Sequence, residues 1–399
     1  SSLIALIRWK IISGNSEIYL HKISLVSHIR FSFQLILGFW FLILFVLNNR
    51  QKLKRIYLVL LSIAALYILG FLFLQQSLTG LISFISSTLI FLIYLILQAE
   101  QRKRLLLFGV AVAIISIPVI YVSWVISDFY DIEEISREKI DKRTKHGNPY
   151  WHDFDNKMVE NGNYVYLYIS EEELREEWNK ISKYKYDSIG PNGYPLKATL
   201  LRYMTSKGLR KDAEGVKALN AQDVENIENG IANIIFQDKK FSLYPRIYQT
   251  IWEYYVYTKT GYVNHQSFSQ RIEFAKAAFT IIKQNFWFGV GTANWEKAFN
   301  DAYAKIESKL DEELYGSSHN QYLNYMVKFG ITGLIAILFL IIFPVVKTQK
   351  YTDILFMLFL GFFFFANFAD SNLETHFGSS FFVFFYCIFM VNGKNYLKL

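Results

Sequence analysis

Cysteine is nearly absent from this sequence. The 399 residues contain a single cysteine, Cys387, so no disulfide framework can hold the fold. Cys387 lies in an apolar run, where core packing explains it better than a catalytic thiol does. The sequence also lacks a P-loop, a G-x-S-x-G element and the Cys/His spacings of zinc sites. These absences exclude the P-loop, α/β-hydrolase, zinc-finger and disulfide-rich secreted classes.

Charged residues are scarce over long stretches, and 52% of the chain is hydrophobic. Because a bilayer core requires about 20 helical residues, each long apolar stretch predicts a membrane span. The predicted spans are 31–47, 56–74, 80–97, 105–127, 321–346, 354–369 and 377–392. The repetition predicts an all-α polytopic membrane protein with at least seven transmembrane helices.

The first residues predict the end of a further span. Residues 3–12 are apolar but are interrupted by Arg8 and Lys10, which differs from the pattern of a secretory signal peptide. We therefore expect the N-terminal group of helices to be incomplete.

Positive charge predicts the orientation of the spans. Lys and Arg are retained on the cytoplasmic side, and they cluster in the linkers between spans and in the C-terminal tail. Seven alternating spans place all of these clusters in the cytoplasm. We thus expect N-terminal membrane helices (1–127), a large, mostly helical extracytoplasmic domain (128–319) and C-terminal membrane helices (320–399). The net charge of +8 is mostly this topogenic charge and does not predict a nucleic-acid partner.

The polar insert contains periodic segments that predict helices. Residues 171–183 begin with acidic and end with basic side chains, which suits the helix dipole. Residues 223–235 and 269–288 predict amphipathic helices. The second of these is expected to present Ile272, Ala275, Phe279 and Ile282 on one face.

Aromatic residues are dense in the second half of the insert. They are Tyr244, Tyr248, Trp252, Tyr254, Tyr255, Tyr257 and Tyr262. Two interpretations stay open. The rings anchor the insert at the headgroup zone of a membrane, or they stack on sugars.

The segment before the 321–346 span contains a candidate base. Ser318 and Gln321 have capping-box spacing, which predicts His319 in the first helical turn. A helix N-terminus disfavours an imidazolium, and a neutral imidazole can accept a proton from a hydroxyl. The alternative is a structural histidine at an interface.

Three arginines are candidate phosphate ligands. Arg271 opens a predicted helix, and Arg246 and Arg202 lie in the insert among aromatic and apolar neighbours. The planar guanidinium binds phosphate through paired, charge-assisted hydrogen bonds. Taken singly, each arginine is more often a surface or ion-pair residue.

A D-x-D pattern at Asp153 and Asp155 offers metal chemistry as an alternative. Two carboxylates at this spacing bind a divalent ion in many transferases, and His146 and His152 are nearby in the sequence. The neighbouring Asn and Pro residues favour a simple turn. We therefore expect no metal and no cofactor.

Two motifs together resemble the O-antigen ligase/polymerase family. In residues 270–294, an Arg at the start of a helix is followed by the turn Phe288-Gly-Val-Gly-Thr-Ala-Asn294, similar to the family's "fGvGtgn" element. His319-Asn320 is then followed by Gly330 and Gly333, which is similar to the family pattern H-[NSQ]-x9-G-x-x-G. Residues 206–215 look like loops of Bacteroidetes-type members.

The resemblance implies a GT-C type glycosyltransferase at the periplasmic face of the bacterial inner membrane. The implied donor is a glycan on undecaprenyl diphosphate, and the implied acceptor is a lipid A-core sugar hydroxyl. His319 matches the family's proposed base and Arg271 matches one diphosphate contact. A second loop arginine is expected, with Arg246 as the first choice and Arg202 as the second. The reaction would be metal-independent and inverting, and the carrier's tail would lie in a lipid-facing groove.

The Phe-rich last spans, 362–365 and 381–385, are candidates for that groove, and helix packing is the alternative. Other functions also stay open. They are an O-antigen polymerase, in which the acceptor is a second carrier-linked glycan, a transporter or flippase of lipid-linked sugars, and a non-catalytic receptor or assembly factor.

Overall fold

A computed structural model describes residues 27–138, 140–191, 193–239 and 241–391. The predictions for residues 3–12 and for the basic C-terminal tail lie outside these ranges. In chain order the helices are α1 (His28–Asn49), α2 (Arg55–Leu74), α3 (Leu78–Gln98), α4 (Gln101–Phe129), α5 (Glu171–Ile181), α6 (Leu196–Ser206), α7 (Ala213–Lys217), α8 (Ala221–Glu228), α9 (Ile235–Asp238), α10 (Tyr244–Thr260), α11 (Ser267–Gln284), α12 (Trp295–Lys305), α13 (Gln321–Lys347), α14 (Ile354–Ala366) and α15 (His376–Val391). A short antiparallel ribbon joins β1 (Val159–Glu160) to β2 (Asn163–Tyr164).

Among the described residues, five helices are long and apolar enough to cross a membrane, namely α1 to α4 and α13. No residue in the most apolar window of α4 is buried by the rest of the protein, which suits lipid as its surroundings rather than water. The last two helices are equally apolar but have only 13 and 16 residues. The predicted span 354–369 is too long, because α14 ends at Ala366 and an irregular loop follows. The chain is an all-α polytopic membrane protein, as the apolar runs predicted.

The chain divides into two compact units. One contains described residues from 27 to 119 together with residues 264–391, and the other contains residues 120–263. We call the second unit the insert domain. The three-part division predicted from topology stays a prediction, because compactness and membrane topology divide a chain by different criteria.

Phenylalanine packs the core of the membrane unit. Helix α14 packs against α3 and α1, and Phe362 and Phe363 are at most 1% exposed. The ring of Phe363 lies 4.8 Å from that of Phe382 on α15. Phe381 and Phe385 instead line an apolar groove of about 780 Å³ together with residues of α1. Phe362 and Phe363 of the first predicted Phe cluster therefore serve packing, and part of the second cluster lines a groove.

The insert domain has its own core. Trp178 of α5 and Tyr203 of α6 are completely buried there. The predicted helix at 171–183 is confirmed as α5. The predicted helix at 223–235 is wrong in its extent, because α8 ends at Glu228 and Gly230 follows with a left-handed φ of 83°.

Most of the aromatic cluster in the insert is buried. Tyr244, Tyr248, Trp252 and Tyr255 are all at most 8% exposed. The rings of Tyr248 and Tyr255 pack edge-on against Phe129 at 5.2 and 5.5 Å. Buried rings can neither anchor at a membrane surface nor stack on a sugar, so neither predicted interpretation applies to these four residues.

The 269–288 prediction is also corrected in detail. Helix α11 starts at Ser267 and ends at Gln284. Its buried face contains Phe274 and Ile281, whereas the predicted face residue Phe279 is 53% exposed. The periodicity located the helix, but neighbouring elements decided which side is covered.

Candidate active site

His319 lies just outside the start of α13. Asn320 is the N-cap, and its side-chain oxygen accepts hydrogen bonds from the backbone N–H groups of Tyr322 and Leu323 at 3.0 and 3.1 Å. Ser318 instead donates to Asn324 at 2.6 Å. The predicted capping box is therefore wrong, and His319 is not in the first turn. Its φ of 47° lies in the left-handed region, which is uncommon for a residue other than glycine.

The charged group next to His319 is a carboxylate, whereas the sequence had predicted the N-terminus of a helix. His319 Nδ1 lies 3.3 Å from Oδ1 of Asp370, and its ring packs at 5.3 Å from Phe274. The His319 side chain is 47% exposed, whereas that of Asp370 is 17% exposed. Burial alone would raise the pKa of Asp370, but hydrogen bonds from His319 and the Ser371 N–H, with the charge of Arg271, lower the pKa overall.

The loop that carries Asp370 is tied to the start of α13. The Gln321 N–H donates to the Asn367 carbonyl at 2.9 Å, and the Gln321 side chain accepts from the Leu373 N–H at 2.8 Å. Asn324 donates to Ser371 Oγ at 2.6 Å. These bonds hold the loop in register with the helix start, so the His319–Asp370 contact does not depend on one flexible side chain.

Arg271 reaches the same loop from α11. Its Nη1 donates to the backbone carbonyl of Ala369, next to Asp370. Two of the predicted site residues, His319 and Arg271, are therefore brought together at residues 369–370, although 48 positions separate them in the sequence. A cation and an imidazole that contact neighbouring residues of one loop can serve a phosphate ester and an attacking hydroxyl.

The turn of the first sequence motif, residues 286–291, packs across α13 at Gly330 of the second motif. At Gly330 the backbone has φ 65° and ψ −170°, which breaks α13 internally. The turn after α11 bridges the break. Ile331 N–H donates to the Phe286 carbonyl at 2.8 Å, and Val290 N–H donates to the Val327 carbonyl at 2.8 Å. A Cβ at Gly330 would lie 2.3 Å from the Trp287 backbone, so only glycine allows this approach.

A partly buried ion pair extends the polar network along α13. Lys328 Nζ lies 3.0 Å from Oε1 of Glu374, and the two side chains are 14% and 25% exposed. Lys328 also lies 4.9 Å from the centre of the Trp295 ring. Asn324 joins this pair to Ser371. A continuous polar chain therefore runs from His319 to Lys328.

Arg202 and Arg246 lie in the insert domain. Two guanidinium nitrogens of Arg202 lie 2.7 Å from Oε1 of buried Glu160, and its guanidinium stacks 4.1 Å from the Trp252 ring. Arg246, near the start of α10, donates to Gln249 at 2.9 Å. The contacts of Arg202 are those of a structural ion pair within a core.

The D-x-D pattern forms a turn. One oxygen of Asp153 accepts the backbone N–H groups of Asp155 and Asn156 at 3.0 and 3.1 Å. His152 Nδ1 accepts the Tyr168 N–H at 3.1 Å, and burial lowers the pKa of His152. Within the described ranges, no three His, Cys, Asp or Glu side chains gather as a metal-ligand group.

Sequence reasoning missed Asp370 and Lys328. Lys328 had a detectable signal, because a charged residue inside a predicted membrane span is costly and tends to mark a functional or paired position. Asp370 had none, since the predicted span 354–369 ended just before it and nothing local connects it to His319.

The comparisons with known proteins agree with the motifs. The family model described as O-antigen ligase matches residues 226–338. This region includes α11, the Gly289–Gly330 crossing and His319. No curated protein and no solved structure matches the chain. The match supports an activity of the O-antigen ligase/polymerase type in a multi-pass membrane protein. Residues 226–338 of this chain are therefore similar to the O-antigen ligase family.

Proposed function

We propose that this protein transfers a glycan from undecaprenyl diphosphate to a sugar hydroxyl of lipid A-core at the periplasmic face of the bacterial inner membrane. The observation that carries the proposal is the convergence of His319, Asp370 and Arg271 on one loop of a single compact unit.

His319 is the proposed base. When Nδ1–H donates to Asp370, Nε2 keeps its lone pair and can take the proton of the acceptor hydroxyl. The hydroxyl oxygen then attacks the anomeric carbon of the donor. The bond from that carbon to the diphosphate breaks, and its electron pair leaves with the diphosphate. Attack from the face opposite the leaving group inverts the anomeric centre.

Arg271 is the proposed diphosphate contact. Its bond to the Ala369 carbonyl orients the guanidinium beside the Asp370 loop. A fixed cation at this position stabilises the charge that develops on the leaving diphosphate, which in other enzymes is a task of metal ions. Arg246 stays the first choice for a second contact. Arg202 becomes weaker as a candidate, because its guanidinium is committed to Glu160.

The groove between α1 and α15 is the proposed seat of the prenyl chain. It is lined mostly by apolar side chains, including Phe41, Phe381 and Phe385. An apolar groove that opens to the bilayer suits an extended hydrocarbon chain.

The test is a transfer assay with the full-length protein in EDTA. Undecaprenyl-diphosphate glycan is supplied with either lipid A-core or a second carrier-linked glycan. His319→Ala, Arg271→Ala and Asp370→Asn are compared with His146→Ala. His146 is a matched control, because its side chain is 49% exposed and lies 3.5 Å from Glu214.

We expect product in EDTA with wild type and His146→Ala, and little with the other three variants. Product on lipid A-core would indicate a ligase, and product on the second carrier-linked glycan would indicate a polymerase. A full rate in His319→Ala, or a requirement for a divalent ion, would contradict the mechanism. Movement of the carrier across the membrane without product would favour a flippase.

A further inference from the structure

A polar pocket lies within the insert domain, and the proposed reaction does not use it. It has a volume of about 180 Å³. Its lining includes Glu133, Asn163, Tyr164, Tyr168, Arg210 and Lys211. Pockets for drug-sized ligands measure roughly 300–1,000 Å³, so this one suits a single small ring.

Lys211 is the unusual member of this pocket. The residue is 3% exposed. Within the described ranges its ammonium group nevertheless donates a single hydrogen bond, to the Tyr164 carbonyl at 3.4 Å. An ammonium has three N–H donors, and burying it without partners is costly. Burial lowers the pKa of Lys211 to about 7, against the opposing charge of Asp212. An anionic ligand in the pocket would complete the lysine's bonds and stabilise its charged form.

Arg210 adds a second cation to the rim. Its guanidinium lies 4.7 Å from the centre of the Tyr168 ring and pairs with Asp141. The stacking and the ion pair fix a planar donor group at the mouth of the pocket, where it can bind a carboxylate.

An adjoining pocket extends the site. It measures about 290 Å³ and shares Ile135, Tyr164 and Leu167 with the first. Asp153, Asn156, Lys157 and Phe154 contribute to its lining. Aromatic faces beside carboxylate and amide groups suit sugar rings, which present an apolar face and a ring of hydroxyls.

We propose that these two pockets form one cleft that binds an anionic sugar residue of a glycan, with the sugar carboxylate at Lys211 and Arg210 and the next ring in the adjoining pocket. The anion site rests on the cleft itself. Its assignment to a glycan rests on the proposed function.

The test is equilibrium binding to the full-length protein in lipid nanodiscs. The probes are trigalacturonate and the neutral galactose trisaccharide of matched linkage. Lys211→Met removes the buried charge with little change of shape, and Lys197→Met is the same substitution on an exposed part of the insert domain. Glu133→Gln removes a negative charge from the same pocket. Binding is also measured in His319→Ala, because that variant cannot perform the proposed transfer.

We expect trigalacturonate to bind wild type and His319→Ala at least tenfold more tightly than the neutral probe. Lys211→Met should lose at least tenfold, Lys197→Met should lose nothing, and Glu133→Gln should bind as tightly or more tightly. If hydrogen exchange shows that Lys211→Met unfolds the insert domain, Arg210→Gln takes its place, and a loss of severalfold is expected.

Equal affinity for the two probes would overturn the proposal. So would unchanged binding in a folded Lys211→Met or Arg210→Gln protein. Uronate binding in a protein that transfers no glycan would support the anion site and count against the proposed function alone.

Discussion

Two histidine–carboxylate pairs in this molecule look alike by distance and exposure. His319 lies 3.3 Å from Asp370 and is 47% exposed, and His146 lies 3.5 Å from Glu214 and is 49% exposed. Their partners differ. Glu214 is 41% exposed and is shared with Lys145 and Lys217, whereas Asp370 is 17% exposed on a loop bonded to the α13 helix start. An imidazole becomes a candidate base when its partner is fixed, and proximity alone is not sufficient.

Arg202 and Arg271 differ in the group that holds each guanidinium. Arg202 is held by a carboxylate that is 1% exposed, so the ion pair stabilises the insert domain. Arg271 is oriented by a backbone carbonyl next to Asp370. A guanidinium paired with a buried carboxylate, as in Arg202, indicates a structural role. A guanidinium oriented next to the partner of a half-exposed imidazole, as in Arg271, indicates a candidate functional site.

The largest expected effect is on transfer. His319→Ala should lower the transfer rate by roughly 10²–10⁴-fold, the usual contribution of a general base. His146→Ala should leave the rate within experimental error, since Glu214 is solvated and shared. The measurement is the initial rate with a saturating donor, with thermal unfolding as the control for folding. An equal loss of transfer rate in both variants would show that the two histidine–carboxylate pairs do not differ in function.

The next effect is on stability. Arg202→Met should lower the free energy of unfolding of the insert domain by about 3–5 kcal/mol, because it leaves Glu160 buried without its counter-ion. Arg175→Met removes an exposed pair with Asp187 and should change it by about 0–1 kcal/mol. Hydrogen exchange of insert peptides measures both. A folded Arg202→Met protein that has lost transfer would instead support a diphosphate role for Arg202.

The motif crossing should be sensitive to one methyl group. Gly330→Ala forces a left-handed backbone on a residue with a Cβ, at a cost of about 1–3 kcal/mol, and adds a clash with Trp287. Gly109→Ala is the control, because a Cβ there meets nothing within 4 Å. Detergent-solubilised thermal unfolding compares the two. A Gly330→Ala protein as stable as wild type would show that the crossing is not tightly constrained.

The smallest effect concerns Lys211. Its pKa falls from 10.5 to about 7 on folding, so the unfolded chain binds more protons between these values. Stability of the insert domain should therefore rise with pH above 7, by at most about 1.4 kcal/mol per pH unit. Lys211→Met should flatten that rise, as measured by urea unfolding at pH 7 and 8. An unchanged slope would mean that Lys211 stays charged.

Several features could be predicted from the sequence because they depend on local composition. An uncharged run of sufficient length has few alternatives to a membrane helix, since its backbone must satisfy its own hydrogen bonds in lipid. Five spans were therefore correct to within a few residues. The capping box was wrong because Ser318 and Asn320 both suit an N-cap by residue type, and the contact of Ser318 with Asn324 decided between them.

The sequence by itself determined the class of this protein, the positions of the five long apolar helices among the described residues, and two motifs whose order and spacing are similar to those of a ligase family. Only the tertiary structure brought Asp370 to His319, paired Lys328 with Glu374 and turned the D-x-D pattern into a simple turn. Helix formation is decided within one stretch of chain. The partner of an ionisable side chain is decided by loops dozens of residues away, and only folding brings them together.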